Sequence, residues 1–230
     1  ITNLDIKYMF SSLNKIVDRI GEIFNVFDFS YIVSGIASLA VISYGLWRYN
    51  LLYSFDNDLL NIVSVIIFTY ICGLISFVIG KRVRFMYNKI FPIQRGRSRF
   101  MSCFNSAIQY VNNRNNQRGI YLNRYMDEEN CRKYYVEMWS YLRGCEKAAP
   151  ALKFINRFWV MQAVYEGLAT SFLLGTFMGC ILYDCNNCCT SLIIIIGFLA
   201  SFCFCCYEGT RYAESQIIEV VIAYERYLNA

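Results

Sequence analysis

An all-α membrane protein with four transmembrane helices is the fold class this chain predicts, and three observations predict it. Four runs of about 20 residues are apolar enough to cross roughly 30 Å of hydrocarbon as helices rising 1.5 Å per residue. The composition is 57% hydrophobic and 17% aromatic with only two prolines, outside the range of an ordinary soluble domain. Lysine and arginine are concentrated in a single connection between the second and third runs. A helical insertion between spans 2 and 3 and an amphipathic helix at each end complete the expected architecture, with units at 1–28, 29–80, 81–157, 158–207 and 208–230.

The first unit, 1–28, repeats Ile6, Met9, Phe10, Leu13, Ile16, Val17, Ile20, Ile23 and Phe24 at three- and four-residue spacing, which is one apolar helical face. Its opposite face carries both signs of charge, so it is expected to pack against protein rather than lie on bare lipid. No cleavable signal is expected, because no basic flank and small-residue cleavage site frame the first apolar run.

The first two spans carry no charge between Phe29 and Trp47 or between Leu59 and Gly80. Ser30, Ser34 and Ser38 recur at intervals of four in the first, and Thr69, Gly73, Ser76 and Gly80 form a small-residue edge in the second. Such edges allow close backbone approach where lipid removes the hydrophobic drive between helices. The second helix is expected to continue beyond the span until Pro92, which cannot extend it.

The connection 81–157 holds 16 Lys+Arg against five acids, a balance of +11 in a chain whose net charge is +5. Seven of those bases follow span 2 closely, whereas the other two connections carry only Arg48. The positive-inside rule therefore expects this connection, and with it both termini, on the cytoplasmic side of a plasma or bacterial inner membrane. Within it, Phe100 to Val111 has helical spacing, Asp127 is an N-cap with Glu128 and Glu129 in the first turn, and Pro150 suits the start of a helix running into span 3. The cluster Lys81, Arg82, Arg84, Arg95, Arg97 and Arg99 is the candidate site for anionic lipid or another anionic partner. Nucleic acid is less favoured, because the bases flank a span directly and the neighbouring aromatics already fit a helical core.

The third run, Phe158 to Tyr183, organises the chain. It has one formal charge in 26 residues, Glu166, and small residues at Ala163, Gly167, Ser171, Gly175 and Gly179. Gln162, Glu166 and Thr170 form a polar edge beside that stripe. An isolated carboxylate in hydrocarbon costs several kcal/mol, so Glu166 is expected to face protein or water, at a pore or a subunit interface. The candidate pore or interface residues are thus Glu166, Gln162, Thr170, Gly167, Ser171, Gly175 and Gly179. The stretch Glu166 to Thr170 also echoes Ser34 to Ser38, as a parallel repeat of two hairpins would.

Span 4, Cys188 to Tyr207, is followed by Glu208-Gly209 and then a final helix with Ile217, Val220, Val221, Tyr224 and Leu228 on one face. Of 11 cysteines, only Cys185, Cys188 and Cys189 are expected at the outer face, where small apolar side chains in a turn or a local disulfide account for them. A lone CxxC with no histidine in the chain does not make a metal site.

The absence of histidine removes His-dependent catalysis, His metal sites and His-ligated haem, and neither a P-loop nor a GxGxxG occurs. No enzyme and no cofactor is expected. The layout of four spans, inner termini, a large inner connection and tiny outer loops is similar to oligomeric channels and to small pore-forming effectors of bacterial conflict or antiviral systems. That likeness is one of topology and carries no residues over. It implies a homo-oligomeric channel or pore; the alternative is a non-catalytic membrane receptor or scaffold whose basic domain binds lipid, RNA or an acidic protein.

Overall fold

The computed structural model describes residues 26–51, 58–91, 99–114, 127–183 and 188–228. The described residues form six α-helices: α1 (Val26–Arg48), α2 (Asp58–Ile90), α3 (Arg99–Arg114), α4 (Glu128–Gly144), α5 (Ala149–Ile181) and α6 (Cys188–Leu228). Four of these, α1, α2, α5 and α6, are long and apolar enough to cross a membrane. The segment expected as the first amphipathic helix lies outside the described residues up to Asn25.

Local chemistry sets the helix ends. At the end of α1, Asn50 adopts φ 53, the left-handed conformation that Asn tolerates better than most residues. The N–H of Asn50 then donates to the Trp47 carbonyl at 3.0 Å and that of Leu51 to the Leu46 carbonyl at 2.9 Å, the paired bonds of a Schellman cap. Helix α2 stops at Ile90, two residues before Pro92, as the sequence predicts. Asp127 caps α4 by accepting from the Asn130 N–H at 2.9 Å, and Pro150 lies in the first turn of α5, where its missing N–H costs nothing.

Two interiors of opposite character share helices α5 and α6. Phe104, Ala107 and Val111 of α3, Cys131, Met138 and Leu142 of α4, Ile155 near the start of α5, and Val220, Val221 and Ala223 near the end of α6 form a conventional apolar core. In the bundle of apolar helices the arrangement is inverted. Ser30, Ser34, Ser38, Thr69, Ser76, Glu166 and Ser171 are buried, while Ile62, Ile66 and Val78 of α2 and Ile193 and Ile196 of α6 are exposed. That inversion is what a hydrocarbon solvent selects.

The small residues explain how the bundle closes. Gly35 and Gly73 bring α1 and α2 together so tightly that a Cβ at either would collide with a backbone carbonyl of the other helix, Thr69 or Tyr31. Gly80 meets the Glu166 carbonyl of α5 in the same way. Gly167 faces Ser34 of α1, whereas Gly175 and Gly179 face Phe198 and Ile195 of α6. The stripe of α5 is therefore covered by the chain's own helices. The two stretches that echo each other in sequence use their glycines differently: Gly35 packs on α2, and Gly167 packs on α1.

Span 4 and the final helix are one element. Glu208 and Gly209 do not separate span 4 from a final helix, because α6 runs unbroken for 41 residues. Gly209 is instead a contact point: a Cβ there would sit 3.4 Å from Arg84 Cδ and 3.5 Å from Tyr165 Cβ. The Thr210 hydroxyl next to it lies 2.8 Å from the Cys206 carbonyl and 3.2 Å from Asn88 Oδ1 of α2, and its single hydrogen serves one of the two at a time. The last turns of α6, from Ile217 to Tyr227, pack into the core that α3 and α4 form.

Candidate functional site

Glu166 is positioned by backbone first. The contact of Gly80 with its carbonyl brings α2 against α5, and one turn further along α2 the Arg84 guanidinium faces the Glu166 carboxylate. Arg84 Nε donates to Glu166 Oε1 at 2.7 Å, and Gln162 Nε2, one turn earlier on α5, donates to the same oxygen at 2.8 Å. Glu166 is 1% exposed, whereas the Arg84 side chain keeps 17% of its surface. Glu166 Oε2 is buried and has no hydrogen-bond partner among the described residues.

Such a pair is costly to bury and costly to break. Attraction in a low-dielectric interior offsets desolvation only when the remaining lone pairs are satisfied, and removing one partner of a buried pair costs about 3–5 kcal/mol. Here one oxygen carries both bonds and the other none, so the carboxylate retains capacity for a further donor.

Further along α5 the polar groups are hydroxyls. Thr170 Oγ1 donates to the Ser76 carbonyl at 2.7 Å. Ser38 Oγ lies 2.7 Å from Ser76 Oγ and 2.7 Å from Ser171 Oγ, and Ser171 Oγ reaches the Ser34 and Gly167 carbonyls at 3.2 Å each. One hydrogen per hydroxyl gives a direction that satisfies all three: Ser76 donates to Ser38, Ser38 to Ser171, and Ser171 to a carbonyl. Ser171 in turn lines a cavity of about 840 Å³ between α1, α5 and α6, whose lining also includes the exposed Tyr44 and Arg48. Glu166, the serines and the cavity thus follow one another along α5.

The structure brings Glu166, Gln162 and Arg84 together, and places Thr170, Gly167, Ser171, Gly175 and Gly179 at contacts within the chain. Lys81 and Arg82 are exposed at the start of the basic connection. Arg84, expected beside them as an anion-binding base, is turned inward to Glu166. Arg95, Arg97 and the side chain of Arg99 lie outside the described residues, as does Cys185. Cys188 and Cys189 are exposed free thiols with sulfurs 4.0 Å apart, so the pair forms no disulfide. Consecutive residues of a helix point about 100° apart, which disfavours bridging them. Among the described residues no cluster of His, Cys, Asp or Glu could hold a metal ion.

Sequence reasoning missed the Arg84 partner, the serine relay and the cavity. The signal for Arg84 was present: Thr69, Gly73, Ser76 and Gly80 run along one edge of α2, and the next step of four reaches Arg84. Compared with protein-family models, with curated proteins and with solved structures, the chain has no match in any of the three.

Proposed function

We propose that this chain is a membrane channel whose polar route follows Glu166 and the serine relay, with Arg84 as the latch that holds Glu166 in the closed state. The observation that carries this reading is the unpartnered Oε2 of a fully buried carboxylate in a bundle that also buries the hydroxyls of Ser34, Ser38, Ser76 and Ser171. A purely structural ion pair would be expected to satisfy both oxygens. An ionisable group at membrane depth, beside a second polar element along the same helix, is the usual mark of an ion or proton path. The positive-inside rule puts the Arg84 end on the cytoplasmic side. Association of several copies belongs to the proposal, and the exposed isoleucine ridges of α2 and α6 supply apolar surface for it.

The test is flux across liposomes containing purified protein, with proton and potassium indicators read separately. Arg84→Gln should raise flux by releasing the latch, and Glu166→Gln should lower it. Unchanged flux in both variants, together with lowered thermal stability, would reduce the pair to a structural staple. The second reading, a receptor or scaffold for an anionic partner, rests on the exposed Lys81 and Arg82 and would then be preferred.

A further inference from the structure

The cavity between α1, α5 and α6 has walls of a particular kind. Ala37, Ala40, Gly175 and Gly179 set its width, and Met178, Ile194 and Phe198 make it predominantly apolar. Its volume of about 840 Å³ falls within the usual range for ligand sites, about 300–1,000 Å³. From Ser171 to Leu182 it follows α5 for eleven residues, roughly 16 Å at 1.5 Å per residue, about half of a hydrocarbon core of roughly 30 Å. The depth is that of one leaflet. Water gains few partners against such walls, and an empty cavity forfeits dispersion contacts on every side.

Chemistry at the rim selects the head of the occupant. Arg48, exposed in the last turn of α1, lines the cavity at that end of the helix, and no acid among the described residues pairs with it. Tyr44 and Thr190 add hydroxyls there. A guanidinium matches a phosphate oxygen pair in geometry as well as charge. We infer that this cavity holds an acyl chain of an anionic phospholipid, with the headgroup phosphate at Arg48. The cavity shares Ser171 with the serine relay, but the inference rests on Arg48 and the apolar walls and concerns a different ligand, so it stands apart from the channel reading.

Protein reconstituted in nanodiscs of equal parts phosphatidylglycerol and phosphatidylcholine, then released into mild detergent, would be analysed by native mass spectrometry for retained lipid. Wild type should retain one phosphatidylglycerol per chain in preference to phosphatidylcholine. Arg48→Gln, an exposed substitution that leaves the packing intact, should reduce that preference about fivefold, the worth of one base at a membrane surface. Ala40→Phe should displace both lipids by filling the cavity; if it fails to fold, Ala37→Val narrows the same wall more gently and should weaken retention. Equal retention of the two lipids by wild type would overturn the proposal. So would an undiminished preference in Arg48→Gln, or a stable dimer without lipid in which a second copy covers the cavity.

Discussion

Gly80 lies against the backbone carbonyl of Glu166, and this contact is what allows Arg84, four residues further along α2, to reach the Glu166 carboxylate. A methyl group at Gly80 meets backbone, which cannot move aside as a flexible side chain can. Gly80→Ala is therefore expected to separate α2 from α5 and to cost at least about 1–3 kcal/mol, the usual range for overpacking. Gly197→Ala is the control: nothing lies within 4 Å of the added carbon, so the better helix former should be neutral or mildly stabilising. Thermal unfolding in detergent measures both, and equal behaviour of the two variants would show that α2 and α5 do not approach at Gly80.

Single and double replacement of the ion pair should differ in a way that simple loss of contact does not. Arg84→Met leaves a buried carboxylate unpaired, and Glu166→Leu leaves a guanidinium facing apolar surface; each is expected to cost about 3–5 kcal/mol. The double variant should lie well above the sum of the two losses, because no uncompensated charge remains. Additive losses in the thermal midpoints would mean that the charges do not interact across the α2–α5 contact.

The spans, the Pro92 stop, the Asp127 cap and the Pro150 start were legible because each is a local or periodic signal. Hydrocarbon-length runs and capping residues need no knowledge of what lies across the fold. Two features were not legible for the opposite reason. Glu208-Gly209 reads as the step from span 4 to a final helix, yet α6 continues through it, with Arg84 and Tyr165, distant in sequence, beside Gly209. Glu166 reads as a pore or interface residue because an intramembrane acid announces a need for a partner without naming it. Its partner came from a base counted among the topology signals, and only the crossing of α2 and α5 at Gly80 distinguishes Arg84 from Lys81 and Arg82.

Tyr134 ties the apolar core of the insertion to alkaline pH. Burial raises its phenol above the ordinary value of about 10, with further contributions from the hydrogen bond to Tyr224 and the nearby Glu225 and Glu137 carboxylates. The folded state thus holds the proton more tightly than the unfolded chain does. Its contribution to stability is complete below about pH 10 and is lost as pH rises from there toward the raised folded value. Near-UV circular dichroism against pH should show the core loosening in that window, and Tyr134→Phe should flatten the dependence.

The serine relay makes an ordering prediction that follows from the direction of its hydrogens. Ser38 stands in the middle, accepting from Ser76 and donating to Ser171. Ser38→Ala therefore strands the Ser76 hydroxyl, buried and without an acceptor, and an unsatisfied buried donor costs about 1–3 kcal/mol in proteins generally, with hydrogen bonds inside membranes toward the lower end. Ser76→Ala removes only the first donor, and Ser38 still donates to Ser171, so its cost should be well under that of Ser38→Ala. Ser171→Ala takes away the acceptor of Ser38 in the same way and should cost about as much as Ser38→Ala. A thermal midpoint for Ser76→Ala above those of both other variants would establish the direction assigned here; a Ser76→Ala variant less stable than Ser38→Ala would show that the hydrogens run the other way, from Ser171 toward Ser76.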